Sequence, residues 1–162
     1  MANYNVTLPV AQTSPLNDIE RIWGFNRKAT IKYTDVAVSS ATTSTDTVTI
    51  SIGATPTKWA INKALVNITT AFAGTSALTV TVGTPGTANA MIGSASVLAE
   101  GFLGQASGVA VLTNLTSTAA TTIQAVFTNA TGGSPSALTA GQMDIYYNVI
   151  DGSSVNVSGG LS

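Results

Sequence analysis

Four stretches of this chain alternate between apolar residues and residues that mostly bear hydroxyl, amide or carboxylate groups, Val126 being the exception. Val48, Ile50 and Ile52 alternate with Thr47, Thr49 and Ser51, and Leu78, Val80 and Val82 with Thr79 and Thr81. Ile123, Ala125 and Phe127 alternate with Thr122, Gln124 and Thr128. Met143, Ile145, Tyr147 and Val149 alternate with Gln142, Asp144 and Asn148. A period of two places the two sets on opposite faces of a strand. Each stretch therefore predicts a half-buried strand with a polar, mostly Thr-rich outer face. Ile31 and Tyr33 start a fifth such pattern, but Val36 and Val38 take the opposite parity, so a bulge or break is expected near Asp35.

Two segments depart from clean alternation. Residues 58–68, with Trp59, Ile61, Ala64, Leu65, Val66 and Ile68, place apolar groups on both faces, and so do residues 109–115, with Val109, Val111 and Leu112. They are read as central strands covered on two sides or as strands facing a neighbouring subunit; a short helix over 58–66 is the weaker option. Turn-forming runs separate the strands: Gly53 to Thr57 with Pro56, Gly83-Thr84-Pro85-Gly86, the glycines from Gly101 to Gly108, and Gly132-Gly133-Ser134-Pro135. About eight short strands punctuated in this way predict an all-β, antiparallel, jelly-roll-like β-sandwich. Nothing of helical length interrupts them, which argues against βαβ architectures.

The N-terminal part differs. Residues 1–13 are polar and read as extended. Ser14 caps, and Pro15 opens, a short expected helix that places Leu16, Ile19, Ile22 and Trp23 on one face and ends at Gly24. At barely two turns it needs a surface to dock on, either its own β domain or another protein. The expected organisation is thus an arm over 1–27, a β-sandwich over 28–150 and a Gly/Ser-rich tail over 151–162.

Charge sharpens the functional reading. Only 8% of the 162 residues are charged, with a net charge of −1, against roughly 25% charged in ordinary soluble domains. A surface so poor in charge suits burial against partners, since interface cores are depleted in charge; plain solvation by Thr, Ser and Asn is the blander account. Six Lys and Arg against seven Asp and Glu form no basic stripe, so nucleic acid is not an expected partner. The start of the chain has neither the basic nor the apolar region of a signal peptide, no run reaches transmembrane length, and assembly in a cytoplasm is expected.

The chain has no Cys and no His, which removes thiolate nucleophiles, imidazole bases, disulfides and nearly all zinc chemistry. No carboxylate sits in a catalytic motif, and Glu100 and Asp144 read as ordinary loop and outward strand residues. The glycines form neither a phosphate cradle nor a dinucleotide fingerprint. No enzymatic activity and no cofactor or metal are expected. Trp23, Phe25, Trp59 and Tyr146 are the aromatics available for a ligand platform or a protein anchor.

The run Leu78-Thr79-Val80-Thr81-Val82-Gly83, the small polar loop to Asn89, Met91-Ile92 and Val97-Leu98-Ala99 resemble small virion proteins of tailed bacteriophages. The ending Leu138-Thr139-Ala140-Gly141-Gln142-Met143-Asp144-Ile145-Tyr146-Tyr147-Asn148-Val149-Ile150 is similar to their last strand. The resemblance spans roughly residues 45–150 and consists of Thr/Ala/Gly patterns, not functional signatures; the charged N-terminal segment has no part in it. It implies a capsid decoration (cement) or head-fibre protein, a homotrimer of β domains on the outer shell that clamps neighbouring major capsid protein subunits. Beside that reading stand a tail, baseplate or fibre component and a carbohydrate- or host-binding β module. The residues expected to dock on the capsid or a partner are Ile19, Arg21, Ile22, Trp23, Phe25, Arg27 and Lys28. Those expected at a subunit interface are Trp59, Ile61, Leu65, Val109, Val111 and Leu112.

Overall fold

A computed structural model describes residues 2–8, 24–104, 115–129 and 133–151. The alternating stretches form strands as their period dictates. Ten strands occur among these residues: β1 (Asn3–Thr7), β2 (Arg27–Lys32), β3 (Thr47–Ala54), β4 (Trp59–Ala73), β5 (Leu78–Thr84), β6 (Thr87–Ser96), β7 (Gly101–Gly104), β8 (Leu115–Ser117), β9 (Thr122–Asn129) and β10 (Ala140–Asp151). They build two sheets. The first has the order β1-β3-β9-β5-β6; the second has the order β2-β10-β4-β7, with β8 also paired to β4. All pairings are antiparallel except β1 with β3. The chain is therefore an all-β sandwich. Its expected N-terminal helix and Gly/Ser tail lie outside the described residues.

The apolar sets named above line the inside. Val48, Ile50, Ile52, Leu78, Val80, Val82, Ile123, Ala125 and Phe127 from the first sheet meet Ala29, Ile31, Val66, Ile68, Met143, Ile145 and Tyr147 from the second, and all are buried. Two contacts lock the layers together. The rings of Phe72 on β4 and Phe127 on β9 lie 5.7 Å apart, tilted by 43°, a favoured aromatic geometry. The Tyr147 hydroxyl donates to the Ile52 carbonyl at 3.3 Å, and burial pushes its pKa up to about 12. Gly53 stands where that ring arrives, and a side chain there would clash with the hydroxyl.

The break expected near Asp35 is a single helical turn, α1 (Tyr33–Val36). The Asp35 carboxylate accepts the Lys32 N–H at 2.8 Å, which ends β2 and lets Val36 turn into the core.

The two-faced pattern of residues 58–68 has a different cause from the one expected. Strand β4 is regular up to Ile61 and again from Lys63 to Ile68, with a register shift opposite Asn148 and Val149. Asn62 is the extra residue, so Asn62 and Lys63 are both exposed. Trp59 and Ile61 face inward before the bulge, and Ala64, Val66 and Ile68 after it. One inserted residue flips parity, which leaves Leu65 as the large apolar residue on the outer face within residues 58–68, and the helical option is excluded.

Residues 3–7 of the expected arm are an edge strand. Asp46 fixes where it starts: its carboxylate accepts the Ala2 N–H and the Thr43 N–H, both at 3.1 Å. A hydrogen bond from the Thr43 side chain, then those from the Thr43 and Ala2 N–H groups, hold the carboxyl below the usual carboxylate range. A depressed pKa stabilises the fold above the unfolded value of about 3.9 and loses that contribution as pH falls through the folded value. Amide exchange at Asn3–Thr7 should therefore stay slow at pH 5 and accelerate, relative to β9, as the pH drops below about 3.9. Asp46→Ala should show the faster exchange at every pH, and equal protection in both proteins would refute the anchor.

Candidate interaction face

The outer face of the second sheet gathers side chains from five parts of the chain. Register places Lys28 and Thr30 of β2, Asp144, Tyr146, Asn148 and Ile150 of β10, Lys63, Leu65 and Asn67 of β4, and Phe102 of β7 on this one side. Phe25, just before β2, stacks on it, its ring 5.7 Å from Tyr146 at a 41° tilt. Asn26 makes that approach possible by acting as an extra strand residue. Its side-chain amide donates to the Val149 carbonyl at 2.7 Å and accepts the Val149 N–H at 2.9 Å, so the backbone of β10 stays paired where β2 has not yet begun.

Asp144 was expected to point outward into solvent. It does point outward, yet it is 8% exposed. Its carboxylate accepts from the Thr30 hydroxyl at 2.6 Å and from the Tyr146 hydroxyl at 3.3 Å, and pairs with the Lys28 ammonium at 3.3 Å. A carboxylate withdrawn from water needs such partners. The Lys28 ammonium also lies 5.2 Å from the centroid of the Tyr146 ring, and Lys63 lies 5.1 Å from that of Phe25, contacts worth about 0.5–1 kcal/mol each when exposed. The result is a braced surface of aromatic rings, lysines and amides.

Among the described residues the large hydrophobic side chains that remain exposed are Phe102, at 64%, and Ile150, at 42%. Both lie on this face. The sequence reading missed them: Phe102 sits in a four-residue strand inside what reads as a glycine-rich loop, and Ile150 follows the last clear alternation. The Gly-Phe-Leu-Gly run of residues 101–104 was the available signal, too short to establish a period.

Of the residues expected to dock, Lys28 sits on this face, and Phe25 lies there too but is 6% exposed, its ring packed between Tyr146 and Lys63. Arg27 does not: it is exposed but in register with the inward-facing Tyr147, on the other side of the sheet, with its guanidinium donating to the Asn26 carbonyl at 3.1 Å. Leu65, expected at a subunit interface, sits here too, in register with Tyr146. Trp59 and Ile61 do not: they are 5% and 2% exposed, and the Trp59 indole N–H donates to the Ala119 carbonyl at 2.8 Å. Their side chains are spent in the chain's own core, because the Asn62 bulge turns them inward. Ile19, Arg21, Ile22, Trp23, Val109, Val111 and Leu112 lie outside the described residues.

Elsewhere an open groove of about 350 Å³ lies at the end of β3, lined by Thr7, Leu8, Ser51, Ile52, Gly53, Ala54 and Thr122. No ionisable side chain lines it. Among the described residues no three Asp or Glu side chains come together as a metal site, and no helix is long and apolar enough to cross a membrane.

No protein-family model matches this chain, and no curated protein matches it. A crystal structure of Aeromonas hydrophila PliG, a periplasmic lysozyme inhibitor of g-type lysozyme, is similar over 91% of this chain and 99% of its own at 14% identity, with a TM-score of 0.30, a likeness too slight to carry an argument.

Proposed function

We propose that this chain is a non-enzymatic virion structural protein that decorates and stabilises a phage capsid, laying the outer face of its second sheet across major capsid protein subunits as a homotrimer. Assembly takes place in the host cytoplasm. The observation that carries the reading is the placement of Phe102 and Ile150 on the same face as Phe25, Tyr146 and two lysines. Aromatic anchors within a rim of polar and cationic groups are what specific interfaces use. The scarcity of charge in the chain and its virion-like strands 78–99 and 138–150 support the same reading. Modest contacts repeated over many copies hold a shell firmly through multivalency.

The test is a Phe102→Ser/Ile150→Ser variant added to shells that lack the protein. Exposed side chains contribute little to folding, so its unfolding free energy should stay within about 0.5 kcal/mol of the parent. Loss of two anchors should weaken shell binding by about 30-fold or more. Full occupancy by the variant would remove the proposal, and labelled protein found only on tails would replace it with a tail or fibre role. A second reading, a carbohydrate- or host-binding module, is favoured by the exposed Phe102 ring with Asn67 in register beside it. It requires saturable glycan binding that Phe102→Ser abolishes.

A further inference from the structure

Among the described residues strand β1 pairs with β3 alone, while its Tyr4 and Val6 side chains rest on the core. It runs parallel to β3 from Asn3 opposite Thr47 to Thr7 opposite Ser51. Its other hydrogen bonds go to β3 and the segment before it. The Tyr4 hydroxyl donates to the Ser40 carbonyl at 2.8 Å, the Asn3 side chain accepts from the Thr47 and Thr49 hydroxyls at 3.2 and 2.8 Å, and Asp46 takes the Ala2 N–H at 3.1 Å. Residues 40–51, with the core edge that Tyr4 and Val6 touch, thus form a seat for a strand of the sequence Asn-Tyr-Asn-Val-Thr, whichever copy of the chain supplies it.

The connection that follows is far longer than the fold needs. Thr7 is in register with Ser51, and Arg27 with Tyr147. The Tyr147 hydroxyl reaches the carbonyl of Ile52, the neighbour of Ser51, at 3.3 Å. The end of β1 and the start of β2 therefore lie at the same end of the sandwich, on facing sheets about 10 Å apart. A handful of extended residues would bridge that gap, yet residues 9–24 intervene between the buried Leu8 and the stacked Phe25, a length able to reach about 50 Å when extended.

We infer that β1 is an exchanging strand: in the assembled protein it leaves its own sheet and adds to the β3 edge of a neighbouring copy, with each copy giving one strand and receiving one. In a closed ring no seat is left empty and no contact is lost, and the high local concentration of an assembly favours the exchange. Neither β1 nor the seat strand β3 carries a charged residue that would oppose a second copy. This inference does not depend on which shell, if any, the protein coats.

The chain has no cysteine, which makes the test clean. Chains carrying Thr7→Cys are mixed with chains carrying Ser51→Cys, unfolded and refolded together, and oxidised. Paired strands lie within disulfide reach. Exchange produces a species of twice the chain mass on a non-reducing gel, with position 7 of one chain linked to position 51 of the other by peptide mapping. Neither single variant alone gives that link. The inference is overturned if no mixed link forms while the Thr7→Cys/Ser51→Cys double variant closes its bridge within a single chain.

Discussion

Replacing Phe127 by alanine should lower the unfolding free energy by about 3–5 kcal/mol, a large part of the 5–15 kcal/mol typical of a domain. Phe127 is fully buried on β9, the middle strand of its sheet, and its ring meets Phe72 of the opposite sheet at 5.7 Å. Removing it takes away the transfer free energy of the ring and leaves a cavity that strands on both sides, tied by backbone hydrogen bonds, cannot collapse to fill. Urea unfolding followed by far-ultraviolet circular dichroism measures the effect. A loss under about 1 kcal/mol would mean that the ring does not occupy the centre of the sandwich. The same experiment separates the inner and outer aromatics, since Phe102→Ser should leave the midpoint almost unmoved.

Gly141→Ala should be comparably damaging through a different mechanism. Gly141 adopts φ of +140°, a region that L side chains rarely enter, and a Cβ built there would lie 2.5 Å from the Phe72 ring. Backbone strain of about 1–3 kcal/mol adds to an overpacking cost of similar size, so a loss of about 3 kcal/mol or more is expected. The two parts are separable. Phe72→Leu in the Gly141→Ala background makes room for the methyl group and should recover the packing part only, appearing as a coupling in a double-mutant cycle. Gly86, where an added Cβ meets nothing within 4 Å, is the control: its alanine variant should fall within about 0.5 kcal/mol of the parent.

The strands most legible in the sequence were those with one buried and one polar face. Residues 47–52, 78–82, 122–128 and 142–149 announced themselves by period alone, and the two-sheet core followed from them. Strand β4 was legible as a strand but not as a surface, because an inserted Asn62 looks the same in sequence as burial on both sides. The parity change at Asp35 was visible, while its resolution as a helical turn depended on a carboxylate reaching back to Lys32. Strand β1 was read only as extended arm, since its alternation is polar on one side and half-buried on the other, and its partner lies 44 residues away across a parallel pairing. Strand β6 is rich in Ala, Asn, Gly and Ser, which propensity disfavours in strands. Of the interaction face, Phe25 and Lys28 were legible as a cluster of aromatic and basic residues. Their assembly with Leu65, Phe102 and Ile150 was not, because only the register of four separate strands brings those positions to one side.

The last strand among the described residues, β10, is an inner strand of its sheet. Because β10 lies between β2 and β4, a ribosome must release the chain through residue 151 before the second sheet can close, whereas the antiparallel pairs of the first sheet are available once residue 129 has emerged. A product cut short before residue 140 leaves β2 without its partner and the inner face of the first sheet uncovered, a state prone to aggregation and clearance. Only copies that extend through β10 can close the second sheet, so a check on what enters an assembly is written into the order of the strands.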